Sequence, residues 1–394
     1  MTVTHPKGFR ASGVAAGLKA SGNPDVALVV NDGPDYTAAG VFTGNRVKAA
    51  PVLWSEQVLK GGVIRAVVLN SGGANACTGT QGFRDTHTTA EHTAAVLRGT
   101  TKAGALPMMI GAGDVAVCST GLIGELLPMD KLLPGVKAAA KALAADGGPQ
   151  AAEAIMTTDT VSKNAVAQRE GWSVGGIAKG AGMLAPALAT MLVVITTDAS
   201  ADNETLDAAL RAATRVTFDR IDADGCMSTN DTVLLLASGA SDKQPTLEEL
   251  TAAVTEVCHD LAQQLIADAE GATKHIAIEV AGAASEADAV QVGRTIAGNN
   301  LVKTAFFGND PNWGRILAAV GTTSAAFEPD RIDVAINGVW ICKNGAAAED
   351  RSKVDLTGRD VKVTVNLHEG EMSATIWTTD LSHGYVHENS AYSS

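Results

Sequence analysis

Residues 184–200 read LAPALATMLVVITTDAS. A loop punctuated by Pro186 passes through Ala189 and Thr190 straight into Met191-Leu192-Val193-Val194-Ile195. The unbroken apolar, β-branched run predicts a buried strand. Thr190 stands at its mouth. Gly180, Gly182 and Pro186 permit an unusual backbone path on the approach. Ala189 is small, so little shields the carbonyl between Ala189 and Thr190. A threonine at a strand edge is ordinary in itself; its surroundings give this one a candidate chemistry.

Outward from this strand, elements of both kinds alternate without a strict βαβ rhythm. VIRAVVLN (63–70) predicts a buried strand ending in a Gly/Asn loop, and DTVLLLASGAS (231–241) another strand. DKLLPGVKAAAKALAA predicts a helix kinked or started by Pro134, and GGPQAAEAIMTTD one running into Thr157-Thr158-Asp159. In CSTGLIGELL, LIGELL is placed to begin a helix. The clearest helix starts at Thr246, with Glu249 completing a capping box and Gly271 supplying the stop. SEADAVQVGRTIAGNN is a helix capped by Ser285. Asn337-Gly338 marks a hairpin, and DVKVTVNLHEGEMSATIWTT predicts a second one by its period-two alternation. Consecutive hairpins with helices predict α+β layers rather than a doubly wound parallel sheet. GAGMLA (180–185) fits a dinucleotide-binding pattern, but Pro186 and a strand follow where that site needs a long helix.

The composition bounds the function. The 394-residue chain is 46% hydrophobic and 19% charged, enough for two or more cores. A net charge of −13 repels phosphate backbones and argues against nucleic acid as a partner. Five scattered cysteines without a C-x-x-C pair argue against a disulfide framework or structural zinc. The first residues lack a basic patch followed by an apolar core, and the apolar runs are too short for a bilayer. The expectation is a cytoplasmic protein with no membrane partner.

An unassisted threonine hydroxyl is a poor nucleophile. Cutting the Ala189–Thr190 bond would give Thr190 a free α-amine, with a reference pKa of about 7.7–8.0. That amine is a base near neutral pH on the residue whose hydroxyl it must activate. No His-Asp pair is then needed, and the eight histidines form no recognisable triad motif.

KGAGMLAPALATML, with NSGGANACTG, CSTG, MTTDT, GCMSTNDT, EGATK, DPNWGR and the terminal HENSAYSS, spans the chain in order. Together these closely resemble the ornithine acetyltransferase family, also called glutamate N-acetyltransferase. One departure is Gly73, where the family pattern has Asn. The resemblance implies a layered αββα-type sandwich, reminiscent of the N-terminal-nucleophile hydrolases yet distinct from them. It implies self-cleavage into an α chain, 1–189, and a β chain, 190–394, intertwined in one catalytic unit and paired as α2β2. Thr190 would take acetyl from N-acetylornithine and pass it to glutamate through an acetyl-Thr ester, releasing ornithine and then N-acetylglutamate. No cofactor or metal is implied.

The resemblance also assigns residues. Thr120 and Gly121 match the oxyanion-hole donors; bottom-up, Gly121 lets backbone N–H groups approach closely and a helix N-terminus favours negative charge. Lys179 matches a substrate-site cation. Thr157 matches a substrate-contacting threonine, with Thr158 one register away. Glu270 matches the ligand of the amino group that glutamate and ornithine share. Asn389 and Ser394 come into the pocket, although NSAYSS alone reads as a frayed tail. DPNWGR and STND (228–231) read as turn-building or site-supporting, with no catalytic role. Other readings remain open: a member that also takes acetyl-CoA, a Thr-dependent amidase or aminopeptidase, or a non-catalytic binding protein that stays one chain.

Overall fold

The structure, a computed structural model, describes residues 2–99, 109–185 and 191–391. The strand that follows Thr190 organises the architecture. Leu192–Thr197 is buried at every position. Its Val193 and Ile195 lie in a cluster with helix residues such as Leu210, Val257 and Leu261. Its Leu192 and Val194 lie in another, with residues of the facing sheet such as Val29, Leu69 and Cys118. The run is apolar through Ile195 because both faces are covered. Each such side chain contributes roughly 1.5–3 kcal/mol on burial.

The first sheet contains β1 (Phe9–Val14), β2 (Val26–Asn31), β4 (Ala66–Ser71) and β5 (Val115–Thr120), in that order. The second has the order β3-β9-β8-β7-β6, from β3 (Ala38–Phe42), β6 (Lys163–Arg169), β7 (Trp172–Lys179), β8 (Leu192–Thr197) and β9 (Thr232–Ala237). Alternate residues of the two sheets meet face to face. On β2, Ala27 and Val29 face the second sheet, while Val26, Leu28 and Val30 face outward. Helices α2 (Gly79–Gly99) and α3 (Met129–Lys141) cover that outer face. The outer face of the second sheet is covered by α5 (Asn203–Val216) and α6 (Leu247–Ala267). The result is an αββα sandwich. α1 (Ala50–Leu59) ties onto β5 through Trp54 and Ser55, which donate to the carbonyls of Val115 and Val117. α4 (Gly148–Ala154) contributes Ala151, Ala152 and Ala154 to the core between the sheets.

A third sheet has its own core. Its order is β13-β12-β11-β14-β10-β15, from β10 (His275–Ala283), β11 (Asp333–Ile336), β12 (Val339–Lys343), β13 (Ala346–Ala347), β14 (Asp360–Asn366) and β15 (Met372–Thr379). Ile276, Ile278, Val363 and Ile376 share a cluster with Val292, Phe306 and Ile316. Those three belong to α7 (Glu286–Ala297), α8 (Asn300–Phe307) and α9 (Trp313–Val320). The last helix is α10 (His383–Ala391).

Three expectations change. The stretch 360–379 is not a hairpin: β10 lies between its strands, parallel to β14 and antiparallel to β15. The alternation fixes which face of each strand is buried and leaves its partner open. No helix begins at Leu122; the chain is irregular until α3 starts at Met129, and Pro134 lies inside that helix. α6 stops at Ala267, before Gly271, and Asp268 leaves it to bind Lys163. As the resemblance implies for Asn389, the end of the chain is ordered: it is helical through Ala391, with the Ser382 hydroxyl accepting the Tyr385 N–H near the helix start. The capping box at Thr246 and Glu249 and the Ser285 cap are present as read.

Candidate active site

The ends of β5 and β7 and the starts of β8 and β9 meet at one end of the sandwich. Register places Lys179 opposite Leu192, and Leu192 opposite Thr232. Asn230 fastens the two sheets here, donating to the carbonyls of Ala74 and Ser119. Ala189, Thr190 and Ser394 lie outside the described residues. Met191, the residue after Thr190, is buried and donates its N–H to Asp231 Oδ1 at 3.1 Å.

Thr120 ends β5, and its carbonyl accepts the Gly73 N–H. Gly121 follows at φ +132°, where a Cβ would stand 2.4 Å from the Gly73 nitrogen. That close approach requires glycine. The helix expected to lend its N-terminus to this turn is absent, so any anion stabilisation comes from local groups. Lys179 is one: its Nζ lies 3.4 Å from Thr120 Oγ1, and the side chain is buried. Burial pushes its pKa down, against the pull of Asp159, Glu270 and Asp231.

Asp159 organises the ground beneath. Its carboxylate accepts N–H bonds from Thr157 and Gly180 at 3.0 and 2.7 Å and binds Lys163 at 2.7 Å. Burial opposes its charge, but Lys179, Lys163 and the Thr157 N–H outweigh it and hold the pKa at about 2. Lys163 is fully buried and also binds Asp268 at 2.6 Å.

The neighbouring cluster is built on Glu270. Its backbone N–H donates to the Ala181 carbonyl, tying it to the loop after Lys179. One carboxylate oxygen accepts the Thr158 hydroxyl at 2.7 Å, and the other accepts the Asn389 amide at 2.9 Å. Of the two adjacent threonines, Thr158 presents its hydroxyl to Glu270, while Thr157 binds Asp159 through its backbone. Thus the structure brings Thr120 to Lys179, and Glu270 to Thr158 and Asn389.

Sequence reasoning does not single out Asp159, Lys163, Asp268 or Asp231. Asp159 and Asp231 lie within the motifs MTTDT and GCMSTNDT, but nothing local announces that they are buried. Their partners are remote in sequence, as Lys163 and Asp268 illustrate. For Asp231, the local signal is an acidic residue immediately before an apolar strand.

The ArgJ family model matches residues 10–394. The arginine biosynthesis bifunctional protein ArgJ of Streptomyces coelicolor is 67% identical over 394 residues, covering 100% of both chains. Its counterpart in Thermobifida fusca is 64% identical over 393 residues, again covering 100% of both. A solved ornithine acetyltransferase from Mycobacterium tuberculosis, complexed with ornithine, is 59% identical and covers 48% of this chain and 96% of its own, with a TM-score of 0.45.

Proposed function

This chain belongs to the ArgJ family, and from that premise we propose that it is an acetyltransferase of arginine biosynthesis, moving acetyl from N-acetylornithine to glutamate. Thr190 is the nucleophile, freed by scission of the Ala189–Thr190 bond. Its α-amine takes the hydroxyl proton. The hydroxyl attacks the acetyl carbonyl, ornithine leaves, and the glutamate amine resolves the acetyl-Thr ester. Thr120 and Gly121 stabilise the oxyanion of both halves. Lys179 adds positive charge beside them, and Glu270 with Asn389 and Ser394 receives the substrate's amino-acid end, Thr157 flanking it. The active particle is an α2β2 assembly in the cytoplasm.

The observation that supports this most is the buried Lys179–Thr120 contact at the strand end opposite the start of β8. The test supplies N-acetylornithine and glutamate together and measures N-acetylglutamate against free acetate. Acetylglutamate as the main product is expected; mainly acetate would make the protein an amidase. The word bifunctional in the relatives' name favours a second donor, acetyl-CoA, which the same assay checks by substitution.

A further inference from the structure

GAGMLA (180–185) leads to β8 and not to the long helix of a dinucleotide site, so its glycines serve another purpose. The loop is pinned on both sides of Gly182. Before it, Gly180 donates its N–H to Asp159 at 2.7 Å, and the Ala181 carbonyl accepts the Glu270 N–H at 2.9 Å. After it, Met183 at φ +54° donates its N–H to Asp224 at 2.7 Å, and the Leu184 carbonyl accepts the Ala223 N–H at 2.5 Å. The φ of Gly182 itself lies outside the left-handed region, so its backbone does not call for glycine. The space does. A Cβ on Gly182 would stand 2.6 Å from Cδ and from both carboxylate oxygens of Glu270. Ordinary contact begins about 1 Å farther out.

We propose that Gly182 is a positioning residue for the substrate's amino group. Its bare Cα is the floor on which the Glu270 carboxylate rests, and it sets where that carboxylate meets an ammonium. This rests on the reading of Glu270 as the receiver of the substrate's amino-acid end and deepens it.

The argument turns on which side yields to a side chain at 182. The loop is fastened through backbone bonds to Asp159, Glu270, Asp224 and Ala223. The carboxylate is the far end of a flexible side chain, and the Thr158 hydroxyl and Asn389 amide bind different oxygens of it. The carboxylate therefore moves, by about 1 Å. A displacement of that size lengthens both bonds and spoils the short, directed contact that an ammonium makes with a carboxylate.

The test titrates ornithine into the full protein by calorimetry and follows melting alongside. Gly182→Ala should weaken ornithine by about tenfold or more, the scale of one charged hydrogen bond, while melting near wild type. Glu270→Ala removes the carboxylate through which residue 182 acts. Adding Gly182→Ala to that variant should leave its affinity unchanged within about twofold. An equal loss in both backgrounds would show that the glycine serves the loop alone and overturns the proposal. Wild-type affinity in Gly182→Ala overturns it as well. If Gly182→Ala does not fold, melting of the pair decides: the double variant should recover the Tm of Glu270→Ala, and a double variant that stays unfolded overturns the proposal. Wild-type protein that does not bind ornithine would instead overturn the reading of Glu270 beneath it.

Discussion

Lys179 is enclosed beside Thr120, where charge develops in the proposed reaction. Thr120→Ala should lower kcat by about 10²–10³ and move KM little, because the contact matters most in the transition state. Steady-state kinetics with N-acetylornithine checks this; an unchanged kcat contradicts it. Asp159 makes a different prediction. Its pKa is about 2 in the fold, against an ordinary aspartate value of 3.8. A depressed carboxyl stabilises the fold above its unfolded pKa and loses that contribution as pH falls. Roughly 2 kcal/mol should therefore disappear between about pH 4 and pH 2. Asp159→Asn should flatten the fall in Tm across that window; equal slopes would refute the assignment. At this scale the sequence named Thr120, Lys179 and Glu270 through motifs, but not Asp159 or Asp231. Burial comes from the packed sheets and cannot be read from a loop motif alone.

Among the elements, α10 is held by a close crossing. Gly271 has φ +60°, and a Cβ there would stand 2.1 Å from the Tyr385 nitrogen. Gly271→Ala should push α10 away and separate Asn389 from Glu270. KM for glutamate should rise about tenfold, the scale of one lost charged hydrogen bond. A variant with wild-type KM would show that α10 does not serve the pocket. Strands β8 and β9 were legible because their apolar runs are continuous. The pairing of β14 and β15 was not, because β10, remote in sequence, enters between them. Gly271 was read as a helix stop for a similar reason: its steric partner Tyr385 lies far along the chain.

For the whole molecule, the proposed cut falls inside one fold. β7 and β8 pair over six residues from opposite sides of it. The cluster under α5 and α6 likewise joins Val174 and Ala178 to Val193 and Leu210. The two products should therefore co-elute under native conditions and separate only on denaturation; native dissociation would contradict the shared core. The layered α+β class was legible from consecutive strands and helices, whereas the division into three sheets required the long-range pairings. The most direct measurement is intact-mass spectrometry on a preparation that is transferring acetyl to glutamate. Two chains, 1–189 and 190–394, are predicted; an active, uncut 394-residue chain would contradict the account.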